Sequence, residues 1–562
     1  MNQTRMFLIF AWLMVASLLW VEWGKDKAAP ETPATTAAAT STGDSTVPST
    51  ANMPTVPSVP LAGTTPSAPQ TTAAPATSAQ TVTVNTDVLR LRLDGGNIRS
   101  AELLRYPQTT ERNSAPVQLF DERPASYFVA QSGWVSSGSA APSHESGFVP
   151  ETAARDYTLA QGAREISVPF VWTSNNGVTI RRTYTFKRGD YTIGVRDEVV
   201  NAGSKPWQGY VYRQLLRNPP VQKSGLTNPE AYSFTGAAWY SPEDKYEKRK
   251  YADFLDDGTL DKQVTGGWVA LLQHYFFAAW IPGAKDQATY SLSTPKADGG
   301  SHFLVRAMGP GVNVAPGARA ESSARLWVGP KLQDRLDGVA PNLGLTLDYG
   351  IFTFLSKPIH WLLAQLHKIT HNWGWAIVLL VVLIKLALYP LSAAQYKSMA
   401  KMRKFQPRIQ QLKERYGDDK QKFQMAMMEL YKKEKINPVG GCLPVLIQMP
   451  VFLALYWVLL ESVELRQAMW IPGWIDNLTA RDPYFILPII NMAVMWTTQK
   501  LTPAVGMDPM QQKMMQLMPL VFGVMFAFFP AGLVLYWVTN GALGLAQQWW
   551  NTKRYSEAPA KA

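Results

Sequence analysis

Five apolar stretches, at residues 373–391, 442–460, 484–501, 514–529 and 532–550, fill the last third of the sequence and constrain it more than any other feature. A helix needs about 20 apolar residues to cross a bilayer, and four of the five are long enough. The stretch 514–529 is short: about 16 residues at 1.5 Å each cover roughly 24 Å of a hydrocarbon core near 30 Å. It calls for locally thinned lipid or water-filled protein beside it. Pro530-Ala531-Gly532 can turn the chain, so the last two stretches are expected as separate spans. A further apolar run at 6–21 follows Arg5 without a convincing A-x-A cleavage site or lipobox cysteine. Residues 1–27 therefore read as an uncleaved signal anchor with a cytosolic N-terminus. Six spans then place the loop 395–435, with 12 Lys/Arg against 5 Asp/Glu, in the cytosol, as the positive-inside rule requires. The tail 551–562 falls on the same side.

Residues 28–80 are Ala, Thr, Pro and Ser with almost no large apolar side chains. Such a segment cannot bury enough surface to offset its ordering entropy, and it reads as a disordered tether. From 81 to 342 the pattern is β. Leu89, Leu91 and Leu93 alternate with Arg90 and Arg92, and Asp94-Gly95-Gly96 turns the chain. Tyr184 and Phe186, then Gly189-Asp190, then Tyr191, Ile193 and Val195 give a second hairpin. About 250 residues of this kind predict a large antiparallel sandwich. It lies outside the cytosol, because one span precedes it and the next follows it.

Residues 343–372 change character. Phe352, Leu355, Ile359, Leu362, Leu363 and Leu366 recur at helical spacing beside Lys357, His360, His367 and Lys368, predicting an amphipathic helix in the membrane interface. Within the bundle 373–550 the polar residues gather toward the cytosolic ends. Lys385 lies six residues before Leu391, and a charge inside a span costs at least about 2.5–3.5 kcal/mol. Snorkelling to the interface is one explanation. A shared wet cavity is the other, because Gln448, Thr497, Thr498, Gln499, Gln516, Asn540 and Gln547 fall at the same end of their stretches. Each polar residue alone is as readily helix–helix glue. No Asp or Glu lies at membrane depth in these stretches; Glu461 and Glu464 sit at an outer edge. Lys385 thus has no built-in carboxylate, and the acidic relay of a proton-coupled transporter is missing.

The basic segment 395–437 carries two apolar stripes: Met399, Met402, Phe405, Ile409, Leu412 and Tyr416, then Phe423, Met427, Leu430 and Tyr431. Gly417-Asp418-Asp419 turns between them, which predicts a helical hairpin. Its stripes pack on each other or meet an apolar partner, while its charge suits ribosomal RNA or anionic lipid. Cys442 is the single cysteine, the six histidines show no ligand spacing and no Walker motif occurs. No metal, cofactor or ATP hydrolysis is indicated. Charged residues make up 17% of the chain, below the roughly 25% of a soluble domain.

Ordered blocks run over about 355–550: Tyr389-Pro390-Leu391, Ala394-Gln395-Tyr396, Met399-Ala400-Lys401-Met402, Gln406-Pro407, Asn437-Pro438-Val439-Gly440-Gly441-Cys442, Gln448-Met449-Pro450-Val451-Phe452, Asp508-Pro509-Met510-Gln511-Gln512 and Phe529-Pro530-Ala531-Gly532-Leu533-Val534-Leu535-Tyr536. With these blocks the chain resembles the YidC family of membrane-protein insertases. The anchor and large β domain resemble the Gram-negative form. That resemblance implies a multi-domain inner-membrane protein: an all-β supersandwich periplasmic domain joined to an α-helical bundle of six transmembrane helices, the anchor included. It implies a substrate groove at Lys385, Gln448, Asn540, Tyr536 and Trp537, where the family's positive charge is usually arginine. A lysine keeps the charge but loses bidentate recognition of a carboxylate. The cytosolic hairpin would offer Lys401, Arg403, Lys404, Arg408, Lys413 and Arg415 to the ribosome and the signal-recognition-particle receptor. The implied activity is insertion and chaperoning of nascent membrane-protein substrates, alone or with the Sec translocon (SecYEG and SecDF), in contact with membrane lipids and without enzymatic chemistry. Two rivals stay open at this point: a solute transporter, and a protein that binds or processes periplasmic glycans.

Overall fold

The computed structural model describes residues 81–145, 147–219, 233–256, 260–297, 300–416, 419–434, 443–501 and 509–556. The expected anchor, the tether and the last six residues of the tail lie outside the described residues.

The β reading holds. Strands β1 (Leu89–Asp94) and β2 (Asn97–Pro107) turn at Gly95 and Gly96, both with positive φ (54° and 83°), a conformation that glycine adopts without Cβ strain. Strands β3 (Phe128–Ser136), β4 (Val178–Lys187), β5 (Thr192–Asn201), β6 (Trp207–Arg217), β7 (Phe276–Pro282), β8 (Phe303–Val314) and β9 (Arg319–Pro330) complete the centre. One sheet runs β8-β6-β3-β2-β1 and the other β7-β9-β5-β4, each extended by further strands at its edges. Pairing is antiparallel except where Val82–Asn85 meets Asp156–Thr158 in parallel, a departure from the all-antiparallel expectation. Apolar residues alternate inward, as along β4, so the two inner faces share one core. Inside that core Arg182 Nε and Nη2 donate to the two Asp197 oxygens, both at 2.7 Å, and Trp134 Nε1 donates to Asp197 Oδ2 at 2.8 Å. Burial opposes ionisation of Asp197, but the Arg182 guanidinium prevails and holds its pKa below the usual carboxylate value.

From Thr353 onward the described residues form helices α1 (Thr353–Thr370), α2 (Trp373–Ala387), α3 (Tyr389–Lys404), α4 (Gln406–Tyr416), α5 (Lys420–Lys433), α6 (Leu443–Glu461), α7 (Ile486–Leu501), α8 (Pro509–Phe526) and α9 (Ala531–Ser556). Among the described residues no single helix is long and apolar enough to cross a membrane. Trp373–Ala387 and Tyr389–Tyr396 pass that test together, with a 63° bend between them. The stretch 373–391, expected as one straight span, is therefore broken. Pro390 stands at the second position of α3, where its missing N–H is harmless, whereas a continuous helix would need that donor. Pro407 breaks the expected first hairpin arm in the same way, so the hairpin proper is α4 and α5, and 389–404 is a separate helix packed on α9. Ile409, Met427 and Tyr431 are buried between the arms, which makes the two stripes each other's partners.

The helix α1 forms where expected. Its Ile359, Leu363 and Leu366 are buried against α2 and α6. The opposite side is not polar, however: Phe354, Trp361 and Ile369 are 76%, 61% and 73% exposed. The sandwich sits on the outer ends of these helices. Lys331 Nζ approaches Glu461 Oε2 at 3.8 Å with both side chains almost fully buried, and His274 Nε2 is 2.9 Å from Leu460 O at the end of α6. Arg466 donates to Pro107 O at 2.7 Å and Gln108 O at 3.0 Å.

Candidate functional site

The helix α9 organises the site. Tyr536, Asn540 and Gly544 follow one another at four-residue spacing, so they form a row along one side with steps of about 6 Å. Gln448 Nε2, from the first half of α6, donates to Asn540 Oδ1 at 2.7 Å. One turn further, the Lys385 ammonium from the last turn of α2 comes to Gly544, 3.5 Å from the point a Cβ would occupy. Tyr396 of α3 donates its hydroxyl to Gly544 O at 3.0 Å. A Cβ at 544 would meet only the Lys385 ammonium, at ordinary contact distance, so two polar side chains gather at this turn of the α9 backbone without strain. Lys385 is half-buried, and no carboxylate among the described residues pairs with it.

The aromatics stand on the other side of Asn540. Tyr536 is only 3% exposed and stacks on Phe452 of α6 at 5.8 Å between centroids. Trp537 is half-buried against Phe452 at 4.8 Å and Phe526 at 5.3 Å, its indole N–H without a hydrogen-bond partner. Tyr536 is packed as core beside the polar row, and Trp537 is the more accessible ring. Beyond them Ala376, Ile377 and Leu380 of α2, Leu455 and Val458 of α6, and Leu533 and Val534 of α9 are buried together. The bundle beyond the aromatics is apolar up to the last turn of α6, where Glu461 is buried.

Of the residues singled out by sequence, Lys385, Gln448, Asn540, Tyr536 and Trp537 fall within about three turns of α9. Others separate. Thr497 and Thr498 return their hydroxyls to Ala493 O and Val494 O at 2.8 Å, and Gln499 donates to Met515 O, joining α7 to α8. Gln516 is exposed. Gln547 Oε1 and Asn551 Oδ1 are buried near the inner end of α9 without partners. On the hairpin, Arg408 Nη1 donates to Glu434 Oε1 at 3.0 Å and ties the arms, while Lys413 and Arg415 are exposed. Lys401, Arg403 and Lys404 belong to α3, and their side chains lie outside the described residues. Sequence reasoning missed Tyr396, Phe452 and Gly544. The Gly541/Gly544 spacing was the available signal, since small residues mark close helix approach.

The family described as YidC periplasmic domain matches residues 81–362, and the one described as 60Kd inner membrane protein matches 365–558. The "Membrane protein insertase YidC" of Stenotrophomonas maltophilia (strain K279a) is 58% identical over 567 residues, covering 100% of this chain and 98% of the relative. This chain belongs to the YidC family of membrane protein insertases. The family member from Xanthomonas axonopodis pv. citri (strain 306) is 55% identical over 574 residues, covering 100% of this chain and 99% of its own. A solved YidC, "Active YidC insertase crystal structure with the first transmembrane domain resolved", aligns over 84% of this chain and 92% of its own, at 20% identity and a TM-score of 0.36. A galactose mutarotase related enzyme from Lactobacillus acidophilus aligns over 44% of this chain and 97% of its own, at 11% identity and a TM-score of 0.29. Membership makes the chain a bacterial inner-membrane protein with a periplasmic β domain, and its substrates nascent membrane proteins.

Proposed function

We propose that this chain inserts and chaperones nascent inner-membrane proteins through a cytosol-open groove along α9, with Lys385 as its positive group. The observation that carries this reading is the convergence on consecutive turns of α9 of the Gln448–Asn540 pair and Lys385, which no carboxylate among the described residues pairs. A polar tail entering from the cytosol would exchange water for these amides, and Lys385 would attract its acidic groups as a point charge. The tail's apolar neighbour would leave sideways into lipid past the exposed apolar faces of α7 (Ile489, Ile490 and Trp496) and α8 (Met514, Leu517 and Met518). Six spans, both termini cytosolic, are the topology this requires. The hairpin α4–α5 would meet the ribosome and the signal-recognition-particle receptor through Arg408, Lys413 and Arg415, with Lys401, Arg403 and Lys404 beside it. SecYEG and SecDF are the translocon partners of the assisted route. No bond is made or broken.

The test is insertion into proteoliposomes of a substrate with an acidic N-terminal tail. Lys385→Arg should retain activity and Lys385→Ala should lose most of it, with a smaller loss for a neutral-tailed substrate. Full activity of Lys385→Ala on the acidic tail would remove charge attraction from the mechanism. Ribosome cosedimentation should fall when Arg408, Lys413 and Arg415 are replaced together by glutamine.

A further inference from the structure

Between α1 and the underside of the sandwich lies a cleft of about 520 Å³, remote from the polar row on α9. Three cations reach it from different segments: Arg105 from β2, Arg335 from the short helix Gln333–Val339, and Lys368 from α1. Their present contacts leave donors unused. Arg105 Nη2 binds Asp87 at 2.9 Å, Arg335 Nη1 donates to Gly189 O at 2.8 Å, and Lys368 reaches Gln365 Oε1 only at 3.5 Å. A guanidinium has five N–H donors, and each arginine here is a fork with teeth to spare.

The same cleft holds two polar atoms that the fold leaves unsatisfied. His360 Nε2 and Glu464 Oε2 are 3.8 Å apart, too far for a hydrogen bond, and neither has another hydrogen-bond partner although His360 is 95% buried by its 5% exposure. Buried polar atoms without partners are uncommon, and Glu464 only accepts, so these two point to a missing occupant that brings a donor, such as a headgroup ammonium, to the carboxylate side of a cleft that Asp334 also lines. The cleft also has an apolar lip. At 100° per residue Phe354, Trp361, Gln365 and Lys368 share one face of α1, and Trp361 stands exposed at the cleft while Trp373 stacks on His367 at 4.0 Å. Tryptophan beside lysine and arginine, at the outer end of the bundle where α2 begins, is the chemistry of headgroup depth.

We propose that this cleft seats the headgroup of an outer-leaflet phospholipid, its phosphodiester held by Arg105, Arg335 and Lys368 and its acyl chains lying along Phe354 and Trp361. Cations on both walls clamp one anion from two sides, and a lipid alone among phosphate sources also covers the apolar lip. The assignment rests on α1 lying at the outer membrane surface and is independent of the Lys385 groove.

Native mass spectrometry of the full-length protein released from detergent tests it, with added phosphatidylethanolamine, diacylglycerol of the same acyl chains, or inorganic phosphate. One phosphatidylethanolamine should be retained with an apparent affinity about tenfold or more above that of diacylglycerol. Arg335→Gln with Lys368→Gln, both exposed side chains, should abolish that preference while the melting temperature is unchanged; Arg105→Gln alone should weaken it. Lys385→Ala should leave it intact, which separates this site from the groove. Equal retention of diacylglycerol, or an undiminished phospholipid adduct in the double variant, overturns the proposal. Full competition by millimolar inorganic phosphate would reassign the cleft to a soluble anion and overturn it equally.

Discussion

The Lys385 side chain shows what one residue needs from its neighbours to be charged at this depth. Gly544 leaves room for the ammonium against α9, and Tyr396 takes the Gly544 carbonyl beside it. The amide pair one turn away is a direct contact, so its coupling is measurable. In a double-mutant cycle with Gln448→Leu and Asn540→Leu, thermal unfolding in detergent should give a coupling of about 0.5–1.5 kcal/mol, the range for a neutral hydrogen bond between helices. The pair Lys331–Glu461 behaves differently, because both partners are ionisable and shut away from water. Glu461→Leu alone should destabilise the protein by about 3–5 kcal/mol by stranding the ammonium, and adding Lys331→Met should recover most of the loss. Equal unfolding temperatures for the single and the double variant would show that the two groups are not coupled.

At the scale of elements, the sandwich and the hairpin were legible because their signals are local. Period-2 alternation in 178–187 becomes β4, and the stripes at Phe405–Tyr416 and Phe423–Tyr431 meet as Ile409 against Met427 and Tyr431. The breaks at Leu388 and Phe405 were not legible, because hydropathy runs on across 388 and the stripe runs on across 405. Proline two residues later decides both, and a helix tolerates proline in its first turn but not in its interior. The site was legible as a set of residue types at one end of several stretches. Which of them meet depends on helix rotation, so Thr497 and Thr498 turned out to satisfy themselves within α7. Close approach of α7 to α9 depends on Gly541, where a Cβ would lie 2.9 Å from Val494 Cγ1. Gly541→Val should therefore separate these helices at a cost of about 1–3 kcal/mol, read as a lower melting temperature and a longer spin-label distance between α7 and α9.

Across the whole molecule, two histidines buried in the neutral form, His144 in the sandwich and His274 at its join to the bundle, contribute to the response to acid. Burial, aided by the nearby Lys331 charge, pushes the His274 pKa down to about 3, while the unfolded side chain titrates near 6.5. The unfolded state then binds the extra proton between those values, so His274 adds stability above pH 6.5 that is lost as the pH falls toward 3. Replacing it by glutamine should flatten the acid side of the melting-temperature profile between pH 6.5 and 4 and leave the profile above pH 7 unchanged; an identical acid slope would assign the sensitivity elsewhere. The same join has a mechanical meaning. Glu461 and Leu460 fasten the outer tip of α6 to the sandwich, and the inner half of that helix carries Gln448 and Phe452, with Pro450 between them. A rod moored at one tip and notched near the other bends at the notch. If the proposed groove widens at the polar row, the movement would fall to the short inner segment before Pro450 and to α3, with the β domain as ballast.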